Sequence, residues 1–268
     1  MTPADMQKEL DTAIEKMYTT EDALVTRTLT EYTNDRVNIV GSYAFADCSN
    51  LHRVSFPAAT TIGSYAFNGC TWLNTANFPV VTTINNSAFA DCADFRTPSF
   101  PAATTIGAYA FSGCTFLSSA SFPVVTTIGS HAFQICLSLT TASFPAATTI
   151  GSYAFNGCSR ITTASFPAAT TINNSAFRGC SNLRRANFPA ATTIGSYAFN
   201  GCYYLTSLTL GGSTVCTLRN SNAFTSTPIG GYSTSAGTYG SIYVPTSLLT
   251  TYQKATNWSY FSSIFVGI

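Results

Sequence analysis

Apolar positions along the chain follow one long period. Cysteines stand at 48, 70, 92, 114, 136, 158, 180 and 202, each 22 residues after the last, and a phenylalanine precedes each by three. Seven Phe-Pro pairs, from Phe56-Pro57 to Phe188-Pro189, keep the same phase. The working unit is T-I-G-S-Y-A-F-x-G-C-x-x-L-x-x-A-S-F-P-A-A-T. A unit of this length cannot bury its own apolar side and must stack on its neighbours, which predicts a solenoid. Within one unit, Leu73-x-x-Ala76-x-Phe78 reads as a short strand with part of its apolar set inward. Thr82-Thr83-Ile84 reads as a second extended piece, in which alternation turns only one threonine outward. The column Gly63, Gly107, Gly129, Gly151 and Gly195, with Asn85 and Asn173, predicts a turn at positive φ. The expected fold is a β-rich solenoid of eight 22-residue coils, with short parallel strands about 4.8 Å apart.

Both ends break the pattern. Residues 4–18 look helical, with Met6, Leu10, Ile14 and Met17 on one side. After Leu210 the period fails, residues 211–241 turn rich in Gly, Ser and Thr, and residues 246–262 return to a helical or mixed pattern. The chain therefore divides into an N-terminal helix (1–18), an N-terminal cap (19–40), the solenoid (41–210) and a mixed C-terminal cap (211–268). Residues 1–36 hold four basic and eight acidic side chains, a net −4, whereas 41–210 hold six Arg and three Asp, a net +3. The N-terminal helix either covers the first coil, as repeat arrays require, or serves a homo-oligomer.

Composition narrows the chemistry. Only 9% of residues are charged and 46% are hydrophobic, so a core forms readily. A net charge of +1 does not point to nucleic acid, and no apolar run reaches the roughly 20 residues of a membrane span. The opening stretch MTPADMQKELDTAIEKMY is acidic and amphipathic, unlike a secretory signal. The evenly spaced cysteines lack the short paired spacings of zinc sites and read as small buried core residues. With His52 and His131 alone, and no nucleotide or hydrolase fingerprint, no cofactor, metal or catalytic site is expected.

Copies can be compared with one another. Two residues after the cysteine the column reads Asn50, Trp72, Asp94, Phe116, Ser138, Arg160, Asn182, Tyr204. Four after, it runs from His52, Asn74 and Arg96 to Arg184, and the next column contains Arg185. Drift is concentrated on this turn and the outward strand positions. Aromatic residues and Arg are frequent interface hot spots, so Trp72, Phe116, Asp94, Asn74, Arg96, Tyr203, Tyr204, Arg184 and Arg185 form the candidate ligand-binding set.

The motif IGSYAFxGCxxLxxAxFP resembles the BspA-type leucine-rich repeats of bacterial surface proteins over about residues 38–210, departing from them in its Phe-Pro-Ala-Ala-Thr turn. The tail SIYVPTSLLTTYQKATNWSYFSSIF is similar to the closing segment of such repeats in gut bacteria and their prophages. The resemblance implies a leucine-rich repeat array that binds proteins or glycans and shares no catalytic residues. The expected function is a non-catalytic adhesion or recognition module on a bacterial surface, directed at a host-cell protein or glycan. The alternative is a tail-associated receptor-binding part of a phage or prophage virion.

Overall fold

The computed structural model describes residues 29–231 and 236–268. The helix expected over residues 4–18 lies outside them, and so does its part in self-association. The first described element is a strand, Glu31–Thr33, and no helix covers the first described coil.

The chain winds as a solenoid of parallel strands. Among the described residues, nine two-residue strands of the Thr-Ile type form one sheet from Ile39–Val40 to Thr217–Leu218. A second column begins at Glu31–Thr33 and ends at Phe265–Gly267, with ten strands and an isolated bridge at Ser99 marking eleven rungs. The array is thus longer than the eight cysteine-marked coils. Glu31–Thr33 pairs with Arg53–Ser55, and Ile39–Val40 with Thr61–Ile62, both at the 22-residue offset. Beyond Leu210 the ladders continue at broken offsets: Thr193 pairs with Thr217, Ser207 with Ser241 and Tyr243 with Val266. Unequal insertions hide these rungs from a fixed period.

A third line of inter-coil hydrogen bonds runs along the Tyr-Ala-Phe segment. The amides of Tyr65, Phe67 and Gly69 donate to the carbonyls of Asn86, Ala88 and Ala90 at 2.8–3.0 Å. Two residues of each copy here, four apart, take a left-handed conformation. One such column is Tyr43, Tyr65, Tyr109, His131, Tyr153 and Tyr197 at φ 57–62°, and the other includes Asp47, Asp91, Ile135 and Gly113. Positive φ therefore belongs to these two columns and not to the column of Gly63. At Gly63 the reason for glycine is close approach, because a Cβ would lie 2.5 Å from the Ser42 backbone nitrogen. The threonine pairs also differ from strict alternation. Both Thr104 and Thr105 are exposed, because the first precedes the strand and its hydroxyl donates back to the Thr82 carbonyl at 3.1 Å.

Inside, two phenylalanine columns stack without interruption. From Phe45 to Phe224, successive rings stand 5.1–5.6 Å apart with interplanar angles of 2–7°. From Phe56 to Phe188 they stand 5.3–6.0 Å apart, and the columns meet edge to face, as at Phe67 and Phe78. The cysteines line this core as buried thiols outside any disulfide. Each from Cys70 to Cys202 donates from Sγ to a phenylalanine carbonyl 25 residues earlier, at 3.0–3.2 Å. Tyr32 covers the stack at one end, 5.0 Å from Phe45. At the other, Trp258 and Phe261 pack on Phe224. There the Cys216 amide donates to the Tyr252 hydroxyl at 2.9 Å, and the Cys216 carbonyl accepts from Trp258 Nε1 at 2.6 Å. Side chains thus satisfy the backbone where the chain departs from the regular coil.

Two outcomes follow. Ile135 is a β-branched residue held at φ 59° where Gly113 and Gly157 stand in flanking copies. Ile135→Gly should raise stability by about 1 kcal/mol, read as a higher melting temperature. Burial pushes the thiols of Cys92, Cys114, Cys136 and Cys180 well above their ordinary range, and that of Cys216 up to about 12. An unfolded chain loses such protons near pH 8.5 while the folded one keeps them, so stability is full below that pH and falls above it. Each thiol contributes a slope of about 1.4 kcal/mol per pH unit. Denaturant midpoints under reducing conditions should drop steadily from pH 8 to pH 10; a flat profile contradicts this.

Candidate recognition edge

The turn after each cysteine is built rung on rung. The Asp94 amide donates to the Thr71 carbonyl at 3.1 Å and the Phe116 amide to the Ala93 carbonyl at 3.0 Å. The next residue in each copy, Leu73, Phe95 or Leu117, is buried and fixes the turn's direction. The residue two after the cysteine is consequently held at the surface. Trp72 is 57% exposed and Phe116 54%, on the first and third of three successive coils.

The expected set separates into diagonal pairs. Arg96 directs Nε and Nη2 at Asp94 Oδ1, 2.9 and 2.7 Å away, and its guanidinium carbon lies 5.5 Å from the centre of the Phe116 ring. The Asp94 side chain is only 16% exposed beneath it, so the polar centre between the two rings is already occupied by Arg96. Trp72 pairs with another residue, His52, at a ring separation of 6.2 Å and 19°. Arg184 repeats the geometry, 5.1 Å from the centre of the Tyr204 ring. Tyr203 is exposed beside it, and Arg185 is exposed on the strand Arg185–Asn187. Asn74 is half-buried, and its Oδ1 accepts from the Thr75 hydroxyl at 2.9 Å.

His52 is the residue missing from the expected set. Its signal was a fixed offset: 52 and 72, 96 and 116, 184 and 204 are each twenty residues apart. The residue four after one cysteine reaches the aromatic two after the next, because successive coils lie in register. An Arg over an aromatic face gains about 0.5–1 kcal/mol at an exposed site, so the Arg96–Phe116 and Arg184–Tyr204 pairs each present a partly ordered cation-and-ring surface.

The coil bearing Asp94 and Arg96 also interrupts the second strand column. Pro98 occupies the inward position of Ala76 and Ala120 and has no amide hydrogen to donate. Only the Asn77–Ser99 bridge marks this rung, and the strands on either side fall into separate sheets. Away from the edge, two open hollows lie near the C-terminal end. One, of about 350 Å³, is lined by Cys216, Arg219, Asn257 and Trp258; the other, of about 560 Å³, by Tyr239, Ser241, Ser263 and Phe265. Among the described residues no three His, Cys, Asp or Glu side chains are placed to hold a metal ion, and no helix is long and apolar enough to cross a membrane.

Residues 38–162 and 148–229 match the model of the BspA type leucine rich repeat region, in six copies. Among solved structures, a leucine-rich repeat protein from Bacteroides ovatus is similar at 22% identity and a TM-score of 0.59, over 80% of this chain and 63% of that one. The pneumococcal vaccine antigen PcpA is similar at 14% identity and a TM-score of 0.51, over 90% of this chain and 66% of that one. These likenesses concern the fold. The chain spans just under two thirds of the length of either structure. No curated protein sequence matches it.

Exposure separates two phenylalanines of the same coil. Phe111→Ala should cost about 3–5 kcal/mol, because it empties a fully buried place in the stack. Phe116→Ala and Trp72→Ala should each cost no more than about 1 kcal/mol in denaturant titrations, the ring's pairing with Arg96 or His52 being all that is lost.

Proposed function

The chain belongs to the BspA type leucine rich repeat family, and from that premise we propose that it is a non-catalytic recognition or adhesion module. Repeats of this kind typically mediate protein binding or adhesion, and the partner proposed is a protein or glycan on a host cell. Family membership supports a surface or extracellular location. The contact edge is the turn after the cysteine with the outward strand positions beside it.

One observation carries the reading. Two residues after the cysteine, large aromatics stand where other copies hold Asn, Asp, Ser or Arg, and Trp72 and Phe116 are exposed there. Packing gains little from such rings, whereas an interface gains both apolar area and the adjoining Arg or His. Trp72 with His52, and Phe116 with Arg96 and Asp94, form the centre of the edge. Tyr203, Tyr204, Arg184 and Arg185 extend it toward the C-terminal end, while Asn74 supplies an amide between the first two pairs.

Glycan-array and host-cell binding of the parent chain identify the partner, and the Trp72→Ala/Phe116→Ala double variant tests the edge. Its affinity should fall by about 1–3 kcal/mol, roughly fivefold to 150-fold, with the melting temperature nearly unchanged. Unchanged binding with a lowered melting temperature assigns the rings to packing and sinks this edge as the site.

A further inference from the structure

A second column of rings runs along another part of the coil, five residues before each cysteine. Tyr43 stacks on Tyr65 at 4.9 Å and 2°. Tyr109, His131 and Tyr153 continue it, at 4.4 Å and 7° and then 4.8 Å and 8°. Two copies lack the ring. Ser87 separates Tyr65 from Tyr109, and Ser175 separates Tyr153 from Tyr197. Across each break the flanking tyrosines stand two rungs apart, roughly 9.6 Å along the solenoid.

Both breaks are built alike. Each carries the triplet Asn-Asn-Ser, at 85–87 and again at 173–175. The first asparagine donates from Nδ2 to the carbonyl of Ile62 or Ile150 at 3.0 Å. The second accepts at Oδ1 from the amide of Ala108 at 2.9 Å or Ser196 at 3.0 Å. The serines keep the left-handed backbone of the ring-bearing copies, at φ 54° and 56°. The scaffold is therefore unchanged and tied down, and only the ring is missing. Both serines are buried, 6% and 2% exposed.

His131 demonstrates what such an interval accommodates. Its imidazole lies face to face with Tyr109 and Tyr153, while Nδ1 sits 2.8 Å from Gln134 Oε1. From this equivalence we propose that Ser87 and Ser175 each floor a slot that takes one planar aromatic ring between two tyrosine faces. The ring comes from an aromatic side chain of a partner polypeptide or from a free aromatic molecule. An interval of two rungs, twice the stacking distance of the ladder, selects a flat ring over a puckered sugar. The slots share no residue with the recognition edge, so either proposal can fail without the other.

The probes are N-acetyl-tyrosinamide and p-cresol, titrated against the full chain and followed by NMR. Bound probe ring protons should move upfield through the ring currents of the two walls, with two sites per chain. Ser87→Tyr/Ser175→Tyr completes the ladder and should weaken binding at least tenfold with the fold intact by circular dichroism. Tyr109→Ala, which leaves both serines in place, should remove one of the two sites. A tenfold preference for N-acetyl-tyrosinamide supports the proposal with a polypeptide as the source of the ring, and equal affinities support it with a free ring. Three results overturn the proposal: no upfield shift, undiminished binding by the double variant, or equal uptake of methyl glucopyranoside.

Discussion

Every part of this molecule depends on the contact between one coil and the next. A 22-residue coil encloses two phenylalanines, a cysteine, an isoleucine or valine and a leucine, and on its own it would leave them open to water at both ends. Stacking closes those ends at every rung: each buried phenylalanine lies against the copy before and after it, and is worth about 1.5–3 kcal/mol over exposure. The backbone follows the same geometry. Amides of the Tyr-Ala-Phe segment donate to the next coil, whereas those of the Thr-Ile strands donate to the previous one. A residue that enters this contact is thereby fixed, which is why Phe, Cys and Gly63-type positions hardly drift.

The same constraint leaves the periphery free. Positions two and four after the cysteine lie outside the phenylalanine stack and vary from copy to copy; where they are small and polar, as at Asn182, Ser118 and Thr140, the side chain donates to a carbonyl of the previous coil. In a helix bundle or a sandwich, functional residues are gathered by tertiary folding from distant segments. In this chain they are gathered by register alone, so a twenty-residue offset suffices to place Arg96 over Phe116 and Arg184 over Tyr204.

The core was legible in the sequence because its physics repeats. Cysteine spacing predicted the coil, and the Leu-x-x-Ala-x-Phe and Thr-Ile segments predicted both strand columns. Three features were not. The rungs near Phe224 and Val266 keep the contact but not the spacing, because insertions lengthen the loops between them, and the rung at Tyr32 keeps the 22-residue spacing without a cysteine or Phe-Pro pair to mark it. The glycine turn was assigned to φ, whereas a Cβ at Gly63 meets backbone, a constraint between chain segments that one unit cannot reveal. At the candidate site, exposure of Trp72 and Phe116 was expected. The occupation of Asp94 by Arg96 was not, because it depends on side-chain direction and not on column identity.

Native-state hydrogen exchange of the amides along the phenylalanine ladder tests the central claim, that each coil is held by its immediate neighbours. The account predicts slowest exchange for the middle rungs, around Phe111, Phe133 and Phe155, with protection falling stepwise toward both ends. Equal protection of all rungs, with every amide exchanging only through one global opening, would contradict it.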